Sequence, residues 1–142
     1  MNLLNQIQVT PLSRISTVGG DVLHVLKSTE DSFQGFGEAY ISWITSGAIK
    51  GWKQHLQMTM NLVVPIGSVR FVFYDLEKNI YREEMIGEQQ YQRLTVPPKI
   101  WYGFQGRGLN SSLILNIANL PHSPQEVESK ELDMIQFDWG NH

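Results

Sequence analysis

The chain has 142 residues, 42% hydrophobic and 18% charged, enough to bury a core in one soluble domain spanning residues 1–142 without covalent staples. It contains no cysteine, which excludes disulfides, thiolate catalysis and cysteine-based metal sites. Its net charge of −3 and lack of a basic run exclude the footprint of a nucleic-acid binder.

Met1 to Thr10 carries no positive charge ahead of its leucines, so it does not read as a signal peptide. No apolar run reaches the roughly 18 residues of a membrane span, and a cytoplasmic location with no membrane partner is expected. Short β-rich runs then follow one another between Gly, Pro and Asn punctuation, the pattern of an all-β sandwich or barrel. Strands are predicted at Val22 to Lys27, Phe36 to Ile44, Ala48 to His55, Met58 to Ile66, Ser68 to Asp75 and Tyr81 to Ile86. Three more are predicted at Gln92 to Val96, Trp101 to Gln105 and Ser112 to Asn119. Ser123-Pro124-Gln125-Glu126 has a capping serine, proline at the first helical position and glutamate at the third. It predicts a short helix from Pro124 to about Lys130, after which Ile135, Phe137 and Trp139 tuck the tail onto the barrel.

Two stretches carry the chemistry. Gly47 to Gly67 reads GAIKGWKQHLQMTMNLVVPIG, and Pro97 to Tyr102 reads PPKIWY. The first resembles the cupin motif G-x5-H-x-H-x4-E-x6-G, with Lys53 and His55 at the paired histidines, Met60 at the glutamate and both glycines kept. The second resembles P-x-G-x2-H, with Lys99 at the glycine and Tyr102 at the histidine. The implied fold is the all-β, cupin-type double-stranded β-helix, a jelly-roll barrel, with a short C-terminal helix. Residues i and i+2 of a strand share a face, so Lys53 and His55 are expected to face the barrel interior. A metal needs about three imidazole or carboxylate ligands. Only His55 survives of that set, so no metal and no cofactor is expected.

Phe36-Gly37-Glu38-Ala39-Tyr40-Ile41-Ser42, Gly47 to Lys53, Pro97 to Phe104 and the tail Asp133 to Trp139 carry a second resemblance, from about Gly20 to Trp139. They are similar to the dTDP-4-dehydrorhamnose 3,5-epimerases, metal-free cupins with F-x-Q-x-N-x-S, G-x-x-R-G-x-H and P-P-G-F-x-H-G-F at these places. That resemblance implies a nucleotide-linked sugar as ligand and a homodimer, with Ile7 to Thr10 as a segment exchanged between copies. It puts Lys53 at the family's proton-abstracting histidine and Lys50 at an arginine that holds diphosphate. The family's late tyrosine is missing, with Leu115, Asn116 and Ile117 near its place. The sugar 3,4-ketoisomerases carry R-G-x-H-x-H here, and His55 falls on their second histidine.

The catalytic candidates are therefore Lys53, His55 and Tyr102. Lys53 acts as a base where burial lowers its pKa, or as a cation that stabilises an enolate. Histidine as a residue type exchanges protons readily near neutral pH, which makes His55 a candidate proton shuttle. The substrate-binding candidates are Glu38, Tyr40, Lys50, Arg70, Trp101 and Asn116. Each also has a plain structural reading. Lys53 snorkels, His55 is a bonded core histidine, Trp101 and Tyr102 pack, and Arg70 blunts a sheet edge. His24, His122 and His142 read as surface residues. The function implied is a metal-free epimerase or ketoisomerase of a 4-keto-6-deoxyhexose in polysaccharide or deoxysugar biosynthesis, the rival being a non-catalytic sugar-binding or assembly cupin.

Overall fold

The computed structural model describes residues 2–140. Twelve strands form among them: β1 Gln8–Pro11, β2 Arg14–Ile15, β3 Val22–Leu23, β4 Glu38–Ile44, β5 Ile49–His55, β6 Met60–Ile66, β7 Ser68–Asp75, β8 Ile80–Gly87, β9 Gln92–Val96, β10 Trp101–Gly106, β11 Ser112–Ala118 and β12 Val127–Ser129. Two five-stranded antiparallel sheets run in the orders β1-β9-β6-β11-β4 and β12-β5-β10-β7-β8, with β2 and β3 as a separate ribbon. From β4 onward consecutive strands switch sheets except at the β7–β8 hairpin, giving the jelly-roll barrel expected from the sequence. The core lies between the sheets, where Leu62, Val64, Leu94 and Ile114 from one meet Phe71, Phe73 and Tyr102 from the other.

The two motif glycines have a physical reason. Gly47 (φ 81°) and Gly67 (φ 88°) adopt left-handed backbone, which a side chain resists. A Cβ on Gly67 would also lie 2.1 Å from the Ser112 hydroxyl. Lys99, at the third motif glycine, keeps the left-handed conformation (φ 71°) without being glycine. Its N–H donates to the His55 carbonyl at 2.7 Å, so the turn carrying it is tied to the end of β5.

Two expectations are corrected. The helix predicted from Pro124 to Lys130 is only one 3-10 turn, Pro124–Glu126, and Ser123 makes no capping bond. Val127–Ser129 continues as β12 because β5 offers it an open edge, pairing Val127 with His55 and Ser129 with Lys53. The strand expected at Val22 to Lys27 stops at Leu23. Beyond it the chain leaves the ribbon and crosses the outer face of the first sheet, held by the fully buried Arg93 through the Val25 carbonyl, Glu30 and Ser32. Within the single chain described, Gln8–Pro11 pairs with β9.

The tail covers the outer face of the second sheet. Ile135 and Trp139 are buried against Trp52, Val72, Tyr74 and Trp101, with Phe137 packed alongside. No helix among the described residues is long and apolar enough to cross a membrane.

Candidate active site

On β5 the buried side chains alternate between two sides. Trp52 points outward into the tail cluster, and that parity turns Lys53 and His55 toward a cavity of about 330 Å³. His55 is buried; Lys53 is exposed at the mouth, and its ammonium has no hydrogen-bond partner among the described residues. A register shift between β5 and β10 lets Lys50 share a smaller adjoining cavity of about 180 Å³ with Lys53, Ser42 and Phe104. Tyr40, Lys53 and Tyr102 line both cavities, so the two form one cleft.

His55 is bonded at both ring nitrogens. Nδ1 lies 2.8 Å from Glu126 Oε1. Tyr102 stacks against the ring at 5.9 Å between centroids and brings its hydroxyl to 3.3 Å from Nε2. Burial pushes the Glu126 carboxyl up. Hydrogen bonds from His55 and from the Gln57 and Met58 N–H groups outweigh burial and hold it below the ordinary carboxylate value. An ionised Glu126 can only accept, so Nδ1 carries the proton and Nε2 presents its lone pair toward Tyr102. Burial, reinforced by Tyr40 and the Glu126 charge, pushes the Tyr102 hydroxyl well above its usual range and keeps it a neutral donor.

The opposite wall comes from the other sheet. Glu38 and Tyr40 on β4 line the cavity. Asn116, facing Tyr40 across the β4–β11 register, donates to the Tyr40 hydroxyl at 3.0 Å and fixes its orientation, leaving its proton to donate elsewhere. Burial raises the Tyr40 hydroxyl as well, only partly offset by Asn116. Asn116 itself is buried and holds the Asn61 N–H. It positions Tyr40 and is not part of the cavity lining.

Arg70 and Trp101, expected at the substrate, lie on the outer face of the second sheet. Arg70 shares a strand face with Val72, and that face is covered by the tail. Its guanidinium donates to the Trp139 carbonyl at 3.0 Å, pairs with Glu83 and sits over the Phe137 and Trp139 rings. Trp101 is buried in the tail cluster under Lys130. Lys50 lines the cleft while donating to the Trp43 carbonyl at 2.9 Å. His122, read as a surface residue, is exposed yet lines the cavity mouth. His24 is half-buried beside Tyr91, and His142 lies outside the described residues. Glu126 went unnoticed because its partner is 71 positions away and its spacing read as a helix cap. Among the described residues no group of three or more His, Cys, Asp or Glu is gathered to hold a metal.

No protein-family model matches the chain. A dTDP sugar isomerase from Desulfovibrio desulfuricans is 34% identical, with a TM-score of 0.89 over 94% of this chain and 90% of that one. The chain belongs to the cupin-fold dTDP-sugar epimerase and isomerase superfamily. Within it, a curated relative from Haloferax volcanii, named a probable low-salt glycan biosynthesis epimerase, is 25% identical over 95% of this chain and 89% of its own length. The dTDP-4-dehydrorhamnose 3,5-epimerase of Sulfolobus tokodaii shares the fold at a TM-score of 0.81 and 20% identity, covering 97% of this chain and 84% of that one. In this chain the cleft brings Lys53 beside His55, with Tyr40 held by Asn116 on the facing wall.

Proposed function

We propose that the chain is a metal-free nucleotide-sugar epimerase or ketoisomerase acting on a 4-keto-6-deoxyhexose in glycan or deoxysugar synthesis. The observation that carries this reading is the buried Glu126–His55–Tyr102 chain, which opens into a cavity walled on its far side by Tyr40.

A sugar ring slotted between the sheets turns one face to each wall. His55 Nε2 removes the proton from the carbon beside the keto group. The electron pair of that C–H bond moves into the carbonyl and leaves an enolate. Tyr102, as a neutral donor, and the Lys53 ammonium stabilise the oxyanion. Tyr40 then protonates the carbon from the opposite face, which inverts it. The proton left on His55 returns through solvent to Tyr40 and resets the site. If His55 instead delivers its proton to the former carbonyl carbon, while the neighbouring hydroxyl proton moves to the former carbonyl oxygen, the keto group shifts by one position. Both outcomes use the same base.

The test is incubation with dTDP-4-keto-6-deoxyglucose in D2O, followed by NMR of the recovered sugar. Inversion places deuterium on the inverted carbon, and ketoisomerisation moves the carbonyl. His55→Ala should reduce either by about 10²–10⁴-fold. Binding with no label and no rearrangement would replace this reading with that of a binding cupin.

A further inference from the structure

The polar groups of the larger cavity differ in whether they are already satisfied. Both His55 nitrogens have partners, the Tyr102 hydroxyl is on His55, and the Tyr40 hydroxyl is held by Asn116. Besides the proton that Tyr40 keeps to donate, three groups remain for a ligand: the Lys53 ammonium, the His122 ring and the Glu38 carboxylate. Glu38 is half-buried, and its Oε1 accepts the His122 N–H at 2.8 Å. A carboxylate offers about four acceptor positions, so one backbone donor leaves most of its capacity open. No other ionised acceptor in this lining is open, because Glu126 lies behind His55 and is bonded through both oxygens.

The cleft therefore carries polar groups at both ends, beside the apolar Val127 and Phe104. Its smaller part carries Lys50 and Lys53 and suits an anion or a carbonyl oxygen. Its larger part ends on an acceptor. A ligand whose phosphates lie toward the lysines brings its sugar substituents to β4, and the residue waiting there can only accept. A deoxy position against Glu38 strips water from a carboxylate without replacing the bond, and a site built around a hydrogen bond rejects such a ligand.

We infer that Glu38 is the specificity residue of the cleft and selects a sugar carrying a hydrogen-bond donor, hydroxyl or amino, at the position facing β4. This rests on the nucleotide-sugar reading above. His122 shapes the same end, since Glu38 ties its backbone and so sets the mouth.

The experiment measures binding of dTDP, and binding and turnover of dTDP-linked 4-keto-6-deoxy sugars that bear hydroxyl, amino or hydrogen at carbon 2 or carbon 3. The wild type should bind the donor-bearing sugar about 10- to 100-fold better than its deoxy counterpart at one of these carbons, as expected for a bond to a charged acceptor. Glu38→Ala should bring that ratio close to one while dTDP binding stays unchanged. Glu38→Gln keeps an acceptor for the His122 N–H and guards against a collapsed mouth. It should hold the hydroxyl preference within a few fold and lose any advantage of the amine, which depends on charge. A deoxy sugar bound as well as its parents by the wild type, or a ratio surviving in Glu38→Ala, overturns the inference. Wild-type protein that discriminates by Glu38 but rearranges no sugar overturns the catalytic reading and leaves the selectivity standing.

Discussion

At the scale of single residues, the charge on Glu126 decides what His55 can do. The carboxylate fixes the Nδ1–H tautomer and stabilises the imidazolium formed when Nε2 takes a proton. Glu126→Gln should lower kcat by about 10²–10⁴-fold while leaving the near-UV circular dichroism of the folded protein unchanged. The same residue predicts a stability signature. Its folded pKa lies below the ordinary value of 4.5, so its contribution is complete above about that pH and is lost as pH falls through the depressed value. Urea unfolding between pH 6 and 3 should show a steeper acid loss for wild type than for Glu126→Gln. Equal slopes would mean that the carboxylate is not held down. The sequence brought out His55, Lys53 and Tyr102 because strand parity and motif spacing are local properties. It missed Glu126, and it placed His122 at the surface, where it is, without showing that it borders the cavity, because both reach the site from the segment after β11, through contacts that no local period encodes.

At the scale of elements, the turn before β10 carries a strain that its sequence shows. Lys99 sits in left-handed backbone where the resembled motif has glycine. The side chain is exposed, so nothing in its packing compensates. Lys99→Gly should raise stability by up to about 1 kcal/mol, read as a higher denaturant midpoint with an unchanged m-value; a lower midpoint would show that the lysine contributes something else. The tail gives a second prediction. Trp139 packs at 5.6 Å from Trp52, which lies next to Lys53 on β5, and Arg70 clamps its carbonyl. Trp139→Ala should cost about 3–5 kcal/mol, a large share of a small domain's stability, measurable by chemical denaturation. Strand positions in the barrel were legible from alternation and turn residues. The tail's path was not, since Arg70 read as a ligand contact or a charge blunting a sheet edge, and Trp101 as a ligand contact or a packing residue. Only the topology, with β12 pairing to β5, decides which side is covered.

At the scale of the whole molecule, one surface stands out after the tail and the 24–34 segment are accounted for. β4 is an edge strand, and Ile41 and Trp43 stand exposed on its outer side, 56% and 53% accessible. They sit beside Leu115 and Leu113 of β11, their register partners. The 24–34 segment shields the neighbouring part of this sheet through Arg93 but does not extend over β4. Contiguous apolar surface beside an open strand edge favours association. A symmetric pair would cover the same surface on both copies. We therefore expect a homodimer, with a mass by light scattering twice the 16.3 kDa of the chain. Trp43→Lys should shift it toward the monomer without lowering the yield of folded protein, because the side chain is outside the core. The substitution also separates two routes to pairing. If the copies joined by exchanging their N-terminal strands, a charge at position 43 would leave the mass unchanged, and deletion of residues 2–11 would be needed to release the monomer. In the arrangement described here those residues complete the sheet of their own chain through β9, so their deletion should unfold the protein before it dissociates the pair.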